Sequence, residues 1–241
     1  MMKSTTLLKI VGSAALLFSA GNLYAQGGAD IKFAPGSGPV IRYPWKVTLS
    51  DHGTAELVRH VGAKSASEPA QEEPLKGWTH FTDWVALTLT EPVLLTVEVA
   101  AQEGVHYTTF NSETNVTTDV LAGGSLYPAS SIYEGIDTTT EVGHMYNPKG
   151  DFSAKINFLN YVEDSAGKKA ISYKMLLEPG QYSLAISGLN AKHCQSTDAC
   201  FNGRHGYRAK LSTEPAPMRV SAHSMASAHA STPASAPVHA H

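Results

Sequence analysis

Trp78-Thr-His-Phe-Thr-Asp-Trp-Val-Ala-Leu-Thr-Leu-Thr90 alternates large and polar side chains, Glu91-Pro92 interrupts it, and Val93-Leu-Leu-Thr-Val-Glu-Val-Ala100 resumes the pattern. A period of two sends successive side chains to opposite faces of a pleated strand, so this stretch predicts two half-buried strands either side of a proline break. Towards the C-terminus, residues 105–110 and 115–121 read as weaker strands. Gly123-Gly124 opens a segment, Leu126-Tyr-Pro-Ala-Ser-Ser-Ile-Tyr-Glu-Gly135, whose Pro and Gly argue against a continuous strand. Residues 156–162 fit a strand or a short helix on pattern alone. Residues 171–177 and 181–187 are strands joined by the turn sequence Glu178-Pro-Gly180, and residues 206–212 close the domain. Towards the N-terminus, residues 47–50 and 54–59 flank Asp51-His-Gly53, which reads as a hairpin turn. Residues 63–77 read as a solvent loop, and the Gly- and Pro-rich residues 26–43 as an extended lead-in. Only 16% of residues are charged, while Thr, Ser, Val, Tyr and Gly abound. The expected fold is all-β, an antiparallel β-sandwich of about seven to nine strands over residues 44–213.

The two ends carry other signals. Lys3 and Lys9 precede an apolar stretch, residues 10–18, too short to span a bilayer, and Ser19-Ala-Gly-Asn-Leu-Tyr-Ala25 ends at a small residue. Residues 1–25 are therefore expected to be a signal peptide, although Leu23 is bulkier than the alanine usual at the third residue before the cut. No cysteine stands at the cut to take a lipid, and no later run is apolar enough for a membrane helix. The mature chain is expected in the periplasm or on the outer cell surface. Residues 214–241 are mostly Ala, Ser, Pro and His with Met218 and Met225, a composition expected to be disordered. Removing Lys3 and Lys9 from 18 Lys+Arg leaves 16 against 21 Asp+Glu, a formal charge of −5. Without a basic cluster, nucleic acid is excluded as a partner.

Cys194 and Cys200 are the two cysteines. In an oxidising compartment they are expected to form a disulfide, worth about 2 kcal/mol for so short a loop. The rival is a metal site of His193 and two thiolates, which export disfavours. The chain has 11 histidines, four of them in the tail: His223, His229, His239 and His241. These can hold copper or zinc weakly, or belong to a flexible spacer.

The sharper feature is Gly77-Trp-Thr-His-Phe-Thr-Asp-Trp84. On a strand, Trp78 and His80 share a face about 7 Å apart. A second imidazole has to come from elsewhere: His144, in Glu141-Val-Gly-His-Met-Tyr146, or His205, in Gly203-Arg-His-Gly-Tyr207. Imidazole suits copper, which heads the divalent affinity order, and two neutral imidazoles suit Cu(I). Asp83, Glu141 or a backbone carbonyl would orient the rings. The bland reading of the same pattern is a histidine packed beside a tryptophan.

The Trp-x-His-x-x-x-Trp segment resembles the copper-repressible, surface-associated copper-binding proteins of methane-oxidising bacteria, the CorA/MopE group. So do Leu126-Tyr-Pro128 with His144-Met-Tyr-Asn147, the turn Leu177-Glu-Pro-Gly-Gln-Tyr-Ser183, and Gly203-Arg-His-Gly-Tyr207. The resemblance covers about residues 45–213. It implies an antiparallel sandwich holding one copper through two histidines and a tryptophan oxidised to kynurenine. Trp78 would be the modified residue, His80 the first ligand and His144 the second, with His205 in reserve. It also implies a di-haem cytochrome c peroxidase-like partner, and a role in copper acquisition or storage. No hydrolase elbow, zincin helix, Walker loop or dinucleotide fingerprint is present, so no enzyme is expected. The alternative is an envelope adhesion or ligand-binding module, with Tyr127, Tyr133 and Tyr146 lining a sugar or protein surface.

Overall fold

Val93, Leu95, Val97 and Val99 are fully buried, while Leu94, Thr96 and Glu98 between them are not. The alternation read in the sequence thus turns one face of β7 (Val93–Ala101) into core. The computed structural model describes residues 23–34, 40–67, 77–139, 145–189, 200 and 202–217. Every regular element among them is a strand.

Two sheets form a sandwich. The first has five strands in the spatial order β1 (Leu23–Gln26), β4 (Thr54–Gly62), β15 (Arg204–Pro215), β7 and β13 (Ala170–Leu177). The second has six: β12 (Asn157–Glu163), β10 (Pro128–Glu134), β14 (Gly180–Gly188), β6 (Asp83–Leu89), β3 (Trp45–Leu49) and β2 (Ala29–Phe33). All pairings are antiparallel except β3 with β6, which runs parallel from Trp45↔Val85. Between the sheets lie Trp45, Leu57, Val85, Leu87, Leu95, Leu184, Tyr207 and Leu211 among others. Each such side chain contributes about 1.5–3 kcal/mol by leaving water. Two small ribbons stand outside, β5 (Gly77–Trp78) with β11 (Met145–Tyr146), and β8 (His106–Asn111) with β9 (Val116–Leu121).

The all-β sandwich is as expected, and larger than seven to nine strands. Part of the excess lies in residues 26–43, which are not merely a lead-in. Ile31 and Phe33 face inward between Asp30 and Lys32, and Phe33 packs on Trp45 at 4.6 Å between ring centroids. β1 straddles the expected cut after Ala25, which would leave only Gln26↔Thr54 of its pairing. Residues 126–135 are also not irregular. Pro128 takes the first position of β10, where no ladder hydrogen bond is needed from it, and the strand runs on to Glu134 between β12 and β14. Residues 156–162 resolve as a strand. Residues 63–67 do not form a solvent loop, since Ser65 and Ala66 are fully buried. At the far end β15 continues to Pro215, two residues into the segment assigned to the tail.

Both turns carry the chain from one sheet to the other, which corrects the hairpin expected at the first. Asp51-His-Gly53 does not close a hairpin, because β3 and β4 lie in different sheets. It is an arch, held where Gly53 N donates to Thr213 Oγ1 at 2.9 Å and Thr213 N donates to Gly53 O at 3.0 Å. Glu178-Pro-Gly180 likewise carries the chain from β13 in one sheet to β14 in the other.

A buried carboxylate ties the sheets together. Asp83, 2% exposed, accepts from Trp45 Nε1 at 2.9 Å and Tyr207 OH at 2.5 Å on Oδ2, and from Arg59 Nη1 at 2.5 Å on Oδ1. Trp45 shares its sheet, while Arg59 and Tyr207 come from the other. Burial and the adjacent carboxylate hold the Tyr207 hydroxyl well above the ordinary phenol range, so it stays a donor. Replacing Asp83 with Ala strands these donors in the core. The expected loss is about 3–5 kcal/mol, read as a fall in the urea midpoint. A variant within about 0.5 kcal/mol of wild type would show that the clamp carries no stability.

Candidate metal centre

Trp78 does not continue into β6. Its carbonyl accepts from Phe81 N at 3.2 Å and from Thr82 N at 3.1 Å, so the chain turns over Thr79–Phe81. The long strand expected from residue 78 is broken because its backbone groups are claimed elsewhere. Trp78 N donates to Ser65 O at 2.7 Å and Gly62 N donates to Phe81 O at 2.8 Å. His80 therefore sits exposed on a turn. The argument that a shared strand face aligns it with Trp78 does not hold.

The turn is nevertheless firmly placed. Thr82 Oγ1 lies 3.1 Å from Ser187 Oγ and 3.3 Å from Tyr146 OH, and Tyr146 OH lies 2.6 Å from Ser187 Oγ. Burial raises the Tyr146 phenol above its usual range. Its ring joins Ile41, Tyr43, Trp84, Tyr133, Ile156 and Ala185 in a second cluster on the outer face of the six-stranded sheet. Tyr133 and Tyr146 are 0% and 2% exposed, so neither lines a binding surface as the adhesion reading required.

What joins the two distant segments is the short ribbon. β5 and β11 pair with Met145 opposite Trp78 and Tyr146 opposite Gly77. The Tyr146 ring occupies the space a Gly77 side chain would need, which restricts that position to glycine. Alternation then places Trp78 and Met145 together on the other, outward face. Trp78 is half-buried and stacks on Phe81 at 5.9 Å with 20° between planes. His144 lies outside the described residues, and the residue bonded to it is Met145.

His205, the reserve ligand, is 2% exposed, with both ring nitrogens committed. Nδ1 accepts from Ser125 N at 3.2 Å and Nε2 donates to Asn202 O at 3.2 Å, an arrangement of the neutral Nε2–H tautomer. Its neighbour Arg204 packs 4.9 Å over the Phe81 ring, so strand alternation turns His205 away from the Trp78 side. Asp83 does not orient an imidazole, because its oxygens serve the inter-sheet clamp. Glu141, Cys194, His193 and the tail histidines 223, 229, 239 and 241 lie outside the described residues. No cysteine among the described residues is free.

Sequence reading passed over His60. It is half-buried on β4, 3.3 Å from Arg204 Nη1 at its Nδ1, with its ring 4.4 Å from that of Tyr107. Only its position opposite Gly206, a long-range pairing, reveals these neighbours. Desolvation, then the Arg204 and Arg59 charges, lower its pKa to about 3. The same cations disfavour a metal there. Among the described residues no group of three His, Cys, Asp or Glu side chains is placed to hold an ion.

No family model matches the chain, and no curated protein matches it in sequence. Among solved structures, it is similar to CorA, described as a surface-associated copper-binding protein important in Methylomicrobium album BG8 copper acquisition. The identity is 13% and the TM-score 0.47, over 65% of this chain and 92% of that one. It is also similar to MopE, a secreted protein of Methylococcus capsulatus in which an oxidised tryptophan is said to facilitate copper binding. There the identity is 14% and the TM-score 0.42, over 80% of this chain and 94% of that one. A weaker likeness, at 9% identity and TM-score 0.27, is to PliG, a periplasmic lysozyme inhibitor of Aeromonas hydrophila, over 69% of this chain and 96% of that one. Likenesses of this size do not transfer a ligand.

His60 sets a pH dependence. Its folded pKa lies below the unfolded value of about 6.5, so between the two the unfolded chain binds the extra proton. Its stabilising contribution is complete above about pH 6.5 and is lost as pH falls towards about 3. Urea midpoints measured across that window are expected to fall less steeply in His60→Gln than in wild type. Parallel curves would refute the assignment.

Proposed function

We propose that this chain is an extracytoplasmic copper-binding protein for acquisition or storage, with Trp78 and His80 on the turn and His144 as the second imidazole. The observation that carries this is the β5–β11 register. It brings the Trp78–His80 turn against the segment that begins one residue after His144, although the two are far apart in the chain. The donors fit the ion. Imidazoles and an aromatic face, with no carboxylate cluster among the described residues, suit Cu(I) better than a hard cation such as Ca²⁺ or Mg²⁺. Copper bound there would supply one-electron redox chemistry beside an indole.

The role of this chain's residues is to bind and position. The turn presents His80, the hydrogen bonds of Thr82 and the one that Ser65 O accepts from Trp78 N fix the turn, and the Trp78 ring shields one side. Conversion of Trp78 to kynurenine belongs to the proposal: dioxygen adds across the indole C2–C3 bond to give N-formylkynurenine, and hydrolysis then releases formate. So do a Cys194–Cys200 disulfide and removal of an N-terminal signal. The described residues contain no helix long and apolar enough to cross a membrane. Binding rather than turnover is the proposed activity.

Titration of the metal-free protein, its cysteines left oxidised, with Cu(I) against a chromophoric chelator tests this. About one copper per chain is expected, with affinity at least roughly tenfold lower in His80→Ala. Equal affinity in the two proteins, or no uptake by wild type, would exclude the site.

A further inference from the structure

We infer that Met145 is a donor at this centre, its thioether completing a Cu(I) site formed with His80 and the residues around Trp78. The inference rests on the copper-binding reading above and adds a ligand to it.

The placement comes from the ribbon. Met145 is the direct cross-strand partner of Trp78, and directly opposed residues in an antiparallel pair share a face with Cβ atoms about 4.5–5.5 Å apart. Tyr146, next in the chain, takes the other face and is 2% exposed, which fixes the assignment of faces. Met145 is 39% exposed, one of four large apolar side chains on the described surface. A methionine fills gaps when it is in a core. On the open face of a two-residue ribbon, packing does not require one.

The chemistry follows. A thioether is a soft, neutral donor that selects Cu(I) over Zn²⁺ and over hard cations. Unlike imidazole it carries no titratable proton, so its binding of copper does not compete with protonation. The ribbon also pre-organises it. Trp78 N is tied to Ser65 O at 2.7 Å, and Tyr146 OH to Ser187 at 2.6 Å, so both backbones are anchored before any ion arrives. The rival explanation is a sulfur–aromatic contact with Trp78, which needs no metal.

X-ray absorption on the full-length, Cu(I)-loaded protein separates these. Wild type is expected to show a sulfur scatterer beside nitrogen ligands. Met145→Leu preserves volume and apolarity, and is expected to lose the sulfur shell and bind Cu(I) roughly tenfold more weakly. A wild-type shell of nitrogen and oxygen alone overturns the inference. So does a sulfur shell that persists in Met145→Leu, which would assign it to another methionine, and so does unchanged affinity. If His80→Ala still loses copper in those cases, the copper-binding reading survives without Met145. If wild type takes up no copper, both fall.

Discussion

A carboxylate without water around it has to be met by donors, and Asp83 meets them from both sheets at once. Trp45 approaches within its own sheet, and Arg59 and Tyr207 reach across from the other. Losing any partner strands a charge or a polar group in the core, so the sheets hold one relative position. Asp83 is also the first residue of β6, directly after the turn that carries Trp78 and His80. The clamp therefore fixes the start of the strand from which that turn projects. Thr82, adjacent to Asp83, continues the restraint to Ser187 and Tyr146.

Strand existence was legible where burial is one-sided. Residues 93–100 alternate cleanly because one face meets the core and the other does not. Residues 128–134 were not legible, because β10 is covered on both faces: Ile132 faces the main core, and Tyr133 faces the second aromatic cluster. Period two disappears when both sides are dry. Turn sequences were legible too, but a turn residue reports only a reversal of direction. Whether β3 and β4 pair, or arch between sheets, depends on Thr213 meeting Gly53, a contact that no local pattern contains.

The candidate site divides in the same way. That Trp78 and His80 belong together was readable from their spacing, but the geometry inferred from that spacing was not correct. The turn at Thr79–Phe81 exists because Ser65 and Gly62 take the backbone groups a strand would use. The meeting of Trp78 with Met145 was not readable either, since a two-residue ribbon leaves no periodic trace. Gly77 was the available hint: a strand glycine can mark a close approach, here that of the Tyr146 ring. Spacing alone did not separate His205 from His144, and only the resemblance put His144 first. Burial and two backbone hydrogen bonds set His205 apart as a structural residue.

The strand order of the five-stranded sheet has a consequence for how the chain reaches its native state. β15 comes last in sequence yet lies at the centre, with β4 on one side and β7 on the other. Until Pro215 has been synthesised and released, β4 and β7 have no strand between them and half of the sandwich has no interior. Formation of this sheet is therefore gated by long-range closure and slow compared with local hairpin formation. Exposed edges of β4 and β7 stay open to pairing with other chains until β15 closes between them.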